Sequence, residues 1–457
     1  MIPLFVPLHG LGGGKDLPIP APLAIAGGTA ALIVSFCVLI LAWRRPRYEP
    51  AGPGLRRRWL DRFDSDGFRW TLRLLGLVAA GYAAIPLLWG DDVRINPALG
   101  VFYVLVWVGI VPASLLFGRV VAAVSPLRTI NLLLVRVTGG EPEKGVLRYP
   151  ERWGYWPAAI GLFAFVWQEL VNPDQTYLDS VRLWLAGYAA AMLIGSAVFG
   201  DVWFERADPF EVYSNLLAKL SPWGRDQHGR LVVRTPLANL ATTVPRPGLV
   251  AVVAVLFGST AFDSYRDTAR WARFSQGGFA SWLEDKPFRG ALAWLAGDTV
   301  LVNALALLLF CLVIGVSFTV AARLTAVEGD VRRRDLPNRL AHSVIPIIVG
   351  YMTAHYLSYF VEQGQITITQ LSDPLTRGDD WLGTGDWSVN IWLTLHPTVL
   401  ASIKVLAVVL GHVLGVIAAH DRALTLLPRR HQVVGQLGLL VIMVAYTATG
   451  LYLLFGG

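Results

Sequence analysis

An all-α fold, a polytopic membrane helix bundle, follows from three observations on the sequence. Hydrophobic residues make up 54% of the 457-residue chain, and its mean hydropathy is +0.51. Charged residues are only 16%, against roughly 25% for a soluble domain. Several apolar runs reach the length of about 20 residues that crosses a hydrocarbon core. The 17 Trp and 14 Tyr suit aromatic belts at two membrane–water interfaces. This composition excludes a soluble enzyme, a secreted disulfide scaffold and a disordered chain. Cys37 and Cys311 both lie in apolar segments without CxxC spacing and read as small packing residues.

The sequence predicts about ten transmembrane helices, at 22–43, 70–90, 99–122, 156–171, 183–204, 248–263, 298–320, 340–361, 398–419 and 433–455. Lys and Arg fix their orientation. Loops 44–69, 125–155, 205–247, 321–339 and 420–432 hold 27 of the 39 Lys and Arg; the opposite loops and termini hold 9. The first set is therefore cytoplasmic and the chain is N-out and C-out. Residues 1–457 form a single integral membrane domain, expected in a bacterial cytoplasmic membrane. Its largest cytoplasmic loop is 205–247, and 264–297 and 362–397 are long extracytoplasmic loops. Topology accounts for the +7 net charge, so nucleic acid is not an expected partner. The bilayer and a small-molecule or cation ligand are.

The N-terminus carries neither a signal-peptide charge nor an A-x-A site. The run Gly-Leu-Gly-Gly-Gly at 10–14 precedes no helix that would use it for phosphate and reads as flexible. His9 would bind metal only if processing exposed it. A weak repeat recurs at an offset of about 82 residues. Phe117 and Gly118 precede Ser125 and Pro126, as Phe199 and Gly200 precede Asp208 and Pro209. Both tails, Ile130–Val137 and Val212–Leu220, read as short helices lying on the cytoplasmic surface.

Ionisable residues inside a membrane are costly, so each is a functional candidate. On the eighth helix Tyr351, His355, Tyr359 and Glu362 share one face. The ninth carries Lys404 and His412 and ends in His420, Asp421 and Arg422. At 1.5 Å per residue, His355 and Lys404 lie at one level of the outer leaflet, and His412 roughly 12 Å deeper. His355 and His412 are not expected to share one metal. Asp263, Asp298 and Glu169 sit near the outer ends of their helices, with Asn303 below Asp298. The loop 362–397 sets Asp373, Asp379, Asp380 and Asp386 against the single cation Arg377, and reads as an acidic cap.

Such a set supports a divalent metal activating water, a proton or cation path, or bonding between helices. Gly411 and Gly415 bracket His412 as a GxxxG pair, which favours close helix packing. Haem between paired histidines is a further alternative, in a redox subunit. The chain has no P-loop, HExxH or GxSxG.

Several stretches together resemble a known family: HGLGGGKDLPIP at 9–20, SPLRTI at 125–130, DPFEVYSNLL at 208–217 and AHYLSYFVEQGQ at 354–365. SDPL at 372–375, DWLGTGD at 380–386 and GHVLGVIAAHDRAL at 411–424 continue the match. The chain is similar to the polytopic membrane proteins, mainly of actinobacteria, commonly labelled fenitrothion hydrolase. The resemblance implies hydrolysis of a phosphotriester, and phosphotriesterases usually activate water on a metal. It places His355, Gln363, Gln365, His412, His420 and Asp421 within family motifs.

Two expectations follow. In a hydrolase, an outward site uses His355 with Glu362, Asp263 and Asp298 as ligands or bases. In a transporter or metal-handling protein, His355, His412, His420 and Asp421 pass or ligate a cation. Lys404, Tyr351, Tyr359, Gln363 and Gln365 are auxiliary in both. A transporter needs polar groups linking His355 to His412 and His420, whereas a hydrolase needs only the outer pocket.

Overall fold

In a hydrocarbon layer no water satisfies backbone polar groups, so an apolar segment must close its hydrogen bonds along its own helix. The computed structural model of the chain describes residues 13–48, 54–284, 286–287, 298–324, 332–427, 432 and 434–456. His9 and part of each of the loops 264–297, 321–339 and 420–432 lie outside the described residues. The principal helices are α1 (Ala21–Ala42), α2 (Asp66–Trp89), α3 (Pro97–Val108 with Ile110–Phe117), α4 (Pro126–Val137), α5 (Trp156–Leu170) and α6 (Leu178–Phe199). They continue with α7 (Pro209–Leu217), α8 (Leu249–Arg266), α9 (Thr299–Arg323), α10 (Ile345–Gln370), α11 (Pro397–Leu426) and α12 (Leu437–Phe455).

Among the described residues, eight helices are long and apolar enough to cross a membrane. The bent α3, with 44° between its halves, makes up to nine. The bend follows a π-helical stretch, Val101–Val108. The expected tenth span, α5, has only 15 residues, about 22 Å at 1.5 Å per residue, short of a hydrocarbon core of about 30 Å. Its two ends nevertheless belong to opposite ends of the bundle. Tyr155 N, just before it, donates to Pro247 O at 2.7 Å, and Leu170 O, its last carbonyl, accepts from Arg266.

The loops sort into the two sets that the basic residues define. At the basic end Arg225 bonds Asp64, Arg206 and Arg246 bond Glu151, and Arg422 bonds Ala241 O. There β1 (Trp223–Arg225) pairs antiparallel with β2 (Leu231–Val233), which Leu55 bridges. At the opposite end Leu178 N donates to Asp92, and Tyr82 OH to Leu371 O.

Helix α8 and the run Arg333–Gln370 that ends in α10 form the centre, with 78% and 67% of their apolar windows buried, against 11% in α2 and α9. α10 packs along α11, and α8 along α9, α5 and α10. The α10–α11 contact depends on the small residues expected there. A Cβ at Gly411 would stand 2.6 Å from Pro346 O, and one at Gly415 2.7 Å from Ser343 O.

The weak repeat has a physical counterpart. Gly118 and Gly200 both turn the chain in the left-handed region, at φ +79° and +73°. Each leads through a short helix (Val120–Val124, Val202–Ala207) to an N-cap followed by proline. The Ser125 hydroxyl accepts from Arg128 N, and the Asp208 carboxylate from Phe210 N and Glu211 N. Corresponding positions then pair across the repeat. Arg128 Nε and Nη2 each lie 3.1 Å from a Glu211 oxygen, Arg128 reaches Asp201 at 3.4 Å, and Arg119 reaches Glu211 at 3.7 Å. The two tails differ from expectation in one respect. α4 exposes Leu133, Leu134 and Val137 as an interfacial helix should, but α7 is buried at every position except Asn215. Its capping loop and the Arg128 pairing draw it into the bundle.

Glu211 is fully buried, so removing its cation leaves an uncompensated charge. Arg128→Ala should cost about 3–5 kcal/mol, read as a lowered thermal unfolding temperature in detergent. The double variant Arg128→Ala, Glu211→Ala should recover part of that loss. Asp208 is also buried, and burial with Glu211 nearby pushes its carboxyl from 3.8 up to about 7. A raised acid pKa makes the folded state hold its proton more tightly. Wild type should therefore lose stability relative to Asp208→Asn as pH rises from 4 to 7, and no further above that.

Candidate functional site

The central helices bring one imidazole between two consecutive residues of α8. His355 Nε2 lies 2.9 Å from Asp263 Oδ2, and His355 Nδ1 lies 3.1 Å from Ser264 Oγ. All three are buried. With Nε2 carrying the proton, the ring donates to the carboxylate and accepts from the hydroxyl. With both nitrogens protonated, Ser264 instead donates to Thr260 O, 3.1 Å away on its own helix. The hydroxyl has a partner in either state.

Neighbouring tyrosines hold the pair in place. Tyr356 OH donates to Asp263 Oδ2 at 2.7 Å, and Tyr351 OH donates to Ser264 Oγ at 3.0 Å. The Arg266 guanidinium lies 3.9 Å from Asp263 Oδ1 and also donates to Leu170 O. Glu169, one residue before Leu170, is within electrostatic reach of Asp263, and its Oε2 is buried without a hydrogen-bond partner among the described residues. Tyr359 sits beside Tyr356, ring centroids 6.4 Å apart.

Of the residues expected at the outer site, His355, Asp263 and Tyr351 therefore meet, with Tyr359 alongside. Glu362 and Asp298 do not join them. Glu362 lies two turns beyond His355 on α10 and accepts from Thr394 of the following loop. Asp298 is exposed and caps α9 by accepting from Leu301 N at 3.0 Å. Asn303 accepts from Trp271 Nε1 at 2.9 Å. Gln365 binds the backbone of Asn390 in both directions, and Gln363, also buried, offers its carbonyl to Thr367. Glu362 and Gln365 thus anchor the loop over α10, while the Gln363 bond stays within the helix. Two of the loop's acids bind the loop itself: Asp373 accepts from Arg377 N and Gly378 N, and Asp380 from Ser372 and Gly385 N.

The residues of α11 lead elsewhere. Lys404, buried, lies within electrostatic reach of Asp16, near the N-terminal segment. His412 Nδ1 donates to Val408 O at 2.8 Å on its own helix, while Nε2 is buried without a hydrogen-bond partner among the described residues. His420 donates from Nε2 to Trp43 O at 2.9 Å and meets Gln436 at Nδ1. Asp421 accepts from Trp43 Nε1, Arg47 N and Tyr48 N, at 3.1, 2.7 and 3.2 Å. This pair fastens the segment after α1 to α11.

The donor set does not fit a metal. Among the described residues no three of His, Cys, Asp and Glu converge to hold one. Both nitrogens of His355 and both of His420 already meet hydrogen-bond partners.

Sequence reasoning missed Ser264 and Tyr356. Ser264 follows Asp263 directly, and its hydroxyl was the available signal. Tyr356 stands off the 351–355–359–362 stripe and reaches Asp263 because α8 crosses beside that stripe.

No protein-family model, curated protein or solved structure matches this chain.

Asp421→Ala removes three hydrogen bonds from residues 43–48. Trypsin should cut after Arg44 or Arg47 several-fold faster in this variant, with bound-metal content unchanged. Loss of a stoichiometric metal in the variant would return His420 and Asp421 to a ligand role.

Proposed function

We propose that the chain is a multi-pass protein of the bacterial cytoplasmic membrane that hydrolyses an uncharged ester, with Asp263, His355 and Ser264 as its catalytic relay. The basic end faces the cytoplasm by the distribution of Lys and Arg, so the relay lies towards the extracytoplasmic face. The observation that carries this reading is the single buried imidazole bridging a carboxylate and a hydroxyl through opposite nitrogens. A nucleophile beside a base that a third group orients is the arrangement of covalent hydrolysis. The resemblance to proteins labelled fenitrothion hydrolase makes a phosphotriester the substrate to test.

Each group has one task. As Ser264 Oγ bonds to phosphorus, its proton passes to His355 Nδ1, and Asp263 stabilises the imidazolium through Nε2. The aryloxide leaves and takes that proton. Water then attacks the Ser264 ester, giving its proton to Nδ1; the bond from Ser264 Oγ to phosphorus breaks, and the proton returns to Oγ. Tyr356 keeps Asp263 oriented, and Tyr351 keeps Ser264 in reach of the ring. No step needs a metal. The hydrogen bonds of His412 and His420 run to their own helix and to the basic end, which favours a local site over a continuous path.

Glu169 supports a second reading, proton or cation carriage. A buried carboxylate oxygen beside Asp263 that has no hydrogen-bond partner among the described residues is a candidate proton carrier.

The test uses the detergent-purified full chain, a fluorophosphonate probe and an aryl phosphotriester. Labelling at Ser264 is expected, lost in Ser264→Ala and His355→Ala, with kcat/KM down roughly 10⁴-fold in Asp263→Asn. A chelator should leave turnover unchanged. Turnover that survives Ser264→Ala, or that the chelator abolishes, overturns the relay. Absent labelling together with proton uptake into vesicles that Glu169→Gln stops would establish carriage instead.

A further inference from the structure

A second site lies at the basic end, far from the relay along the bundle. There the helix ends and loops enclose a cavity of about 1180 Å³, larger than the roughly 300–1,000 Å³ of small-molecule pockets. Nine Lys and Arg line it, against two carboxylates, Asp64 and Glu205. Six of these cations reach a carboxylate: Arg119 and Arg128 share Glu211, Arg69 and Arg225 share Asp64, and Arg206 and Arg246 share Glu151. Positive charge remains after that pairing. Lys219 Nζ bonds only the neutral hydroxyl of Thr242, at 2.7 Å, and pairs with no carboxylate among the described residues. Burial, with Arg119 and Arg234 nearby, depresses its ammonium to about 8. Arg73 lies within electrostatic range of three cations, Arg69, Arg128 and Arg136, and of the Asp201 carboxylate, which Arg128 already engages. Cations held this close repel one another, so the site gains from an anion.

The rim is apolar. Trp59, Phe63 and Phe117 line the cavity at 48%, 46% and 72% exposure, and Trp223 meets Trp59 edge-on at 6.4 Å. Phe117 ends α3, and Arg69 and Arg73 lie in the first turns of α2. The cavity therefore opens where helices leave the apolar layer, at the depth of lipid headgroups. A free anion needs no aromatic rim, and a neutral lipid needs no cationic floor.

We propose that this cavity binds the phosphate of an anionic lipid headgroup, with Lys219 and Arg73 facing the phosphate and the Trp59–Phe63–Phe117 rim holding the start of the acyl chains. The site is independent of the relay, and its test does not depend on turnover.

Native mass spectrometry of the detergent-purified chain would be run with phosphatidic acid, phosphatidylcholine and glycerol phosphate. One tightly held phosphatidic acid is expected, at least tenfold weaker in the double variant Lys219→Gln, Arg73→Gln, and weakened by added salt. Phe117→Ser, at an exposed position, should weaken lipid retention without lowering the thermal unfolding temperature. Unfolding temperatures of all variants confirm that each is folded. Equal retention of phosphatidylcholine, or undiminished phosphatidic acid binding by the folded double variant, overturns the proposal. Glycerol phosphate occupying the site as tightly as the lipid would assign it to a soluble phosphate ester and overturn the lipid part.

Discussion

An uncompensated charge inside a low-dielectric bundle costs several kcal/mol, and the architecture is arranged around meeting that cost. Glu211 is fully buried only because Arg128 grips both its oxygens, with Arg119 behind. Asp263 is buried because His355, Tyr356 and Arg266 converge on one carboxylate. Each solution joins segments distant in sequence, so satisfying a charge also fixes which helices are neighbours. The π-helical stretch in α3 and the short α5 are tolerated beside these centres, packed against α10 and α8.

The two ends of the molecule solve the problem differently. Towards the end opposite the basic one, the buried Asp263 carboxylate meets His355, Tyr356 and Arg266 within a small cluster on α8 and α10. At the basic end the ionisable groups are many and incompletely balanced, and the surplus surrounds an open cavity with an aromatic rim. The first arrangement suits proton transfer in a dry setting, where fixed dipoles act strongly. The second suits attraction of an anion from an interface.

Much of the bundle was legible because hydropathy reports directly what can stand in lipid. Nine of the ten expected segments became spanning helices or the bent pair. The exception, α5, reads as apolar enough but is too short, a length set by its two anchored ends. The charge bias divided the loops correctly into two ends because loops of one end also bond one another. Helical spacing found Tyr351 and His355 on one face but overextended it to Glu362, since periodicity carries no information about where a partner helix stops. The histidines of α11 and the acids of the 362–397 loop looked like ligands because composition cannot distinguish a metal ligand from a side chain binding backbone. Asp421 and Asp380 both turned out to do the latter. The basic cavity was invisible for a related reason: its cations come from many separate segments, and only the fold assembles them.

Asp263 and Ser264 are consecutive residues that grip opposite nitrogens of one ring. A helix turns about 100° per residue, so inserting or deleting one residue earlier in α8 would swing both groups away from His355 together. The loops at either end carry no such phase constraint. Length variation among natural variants of this chain should therefore be confined to loops, with α8 between Gly248 and Ser264 kept at constant length.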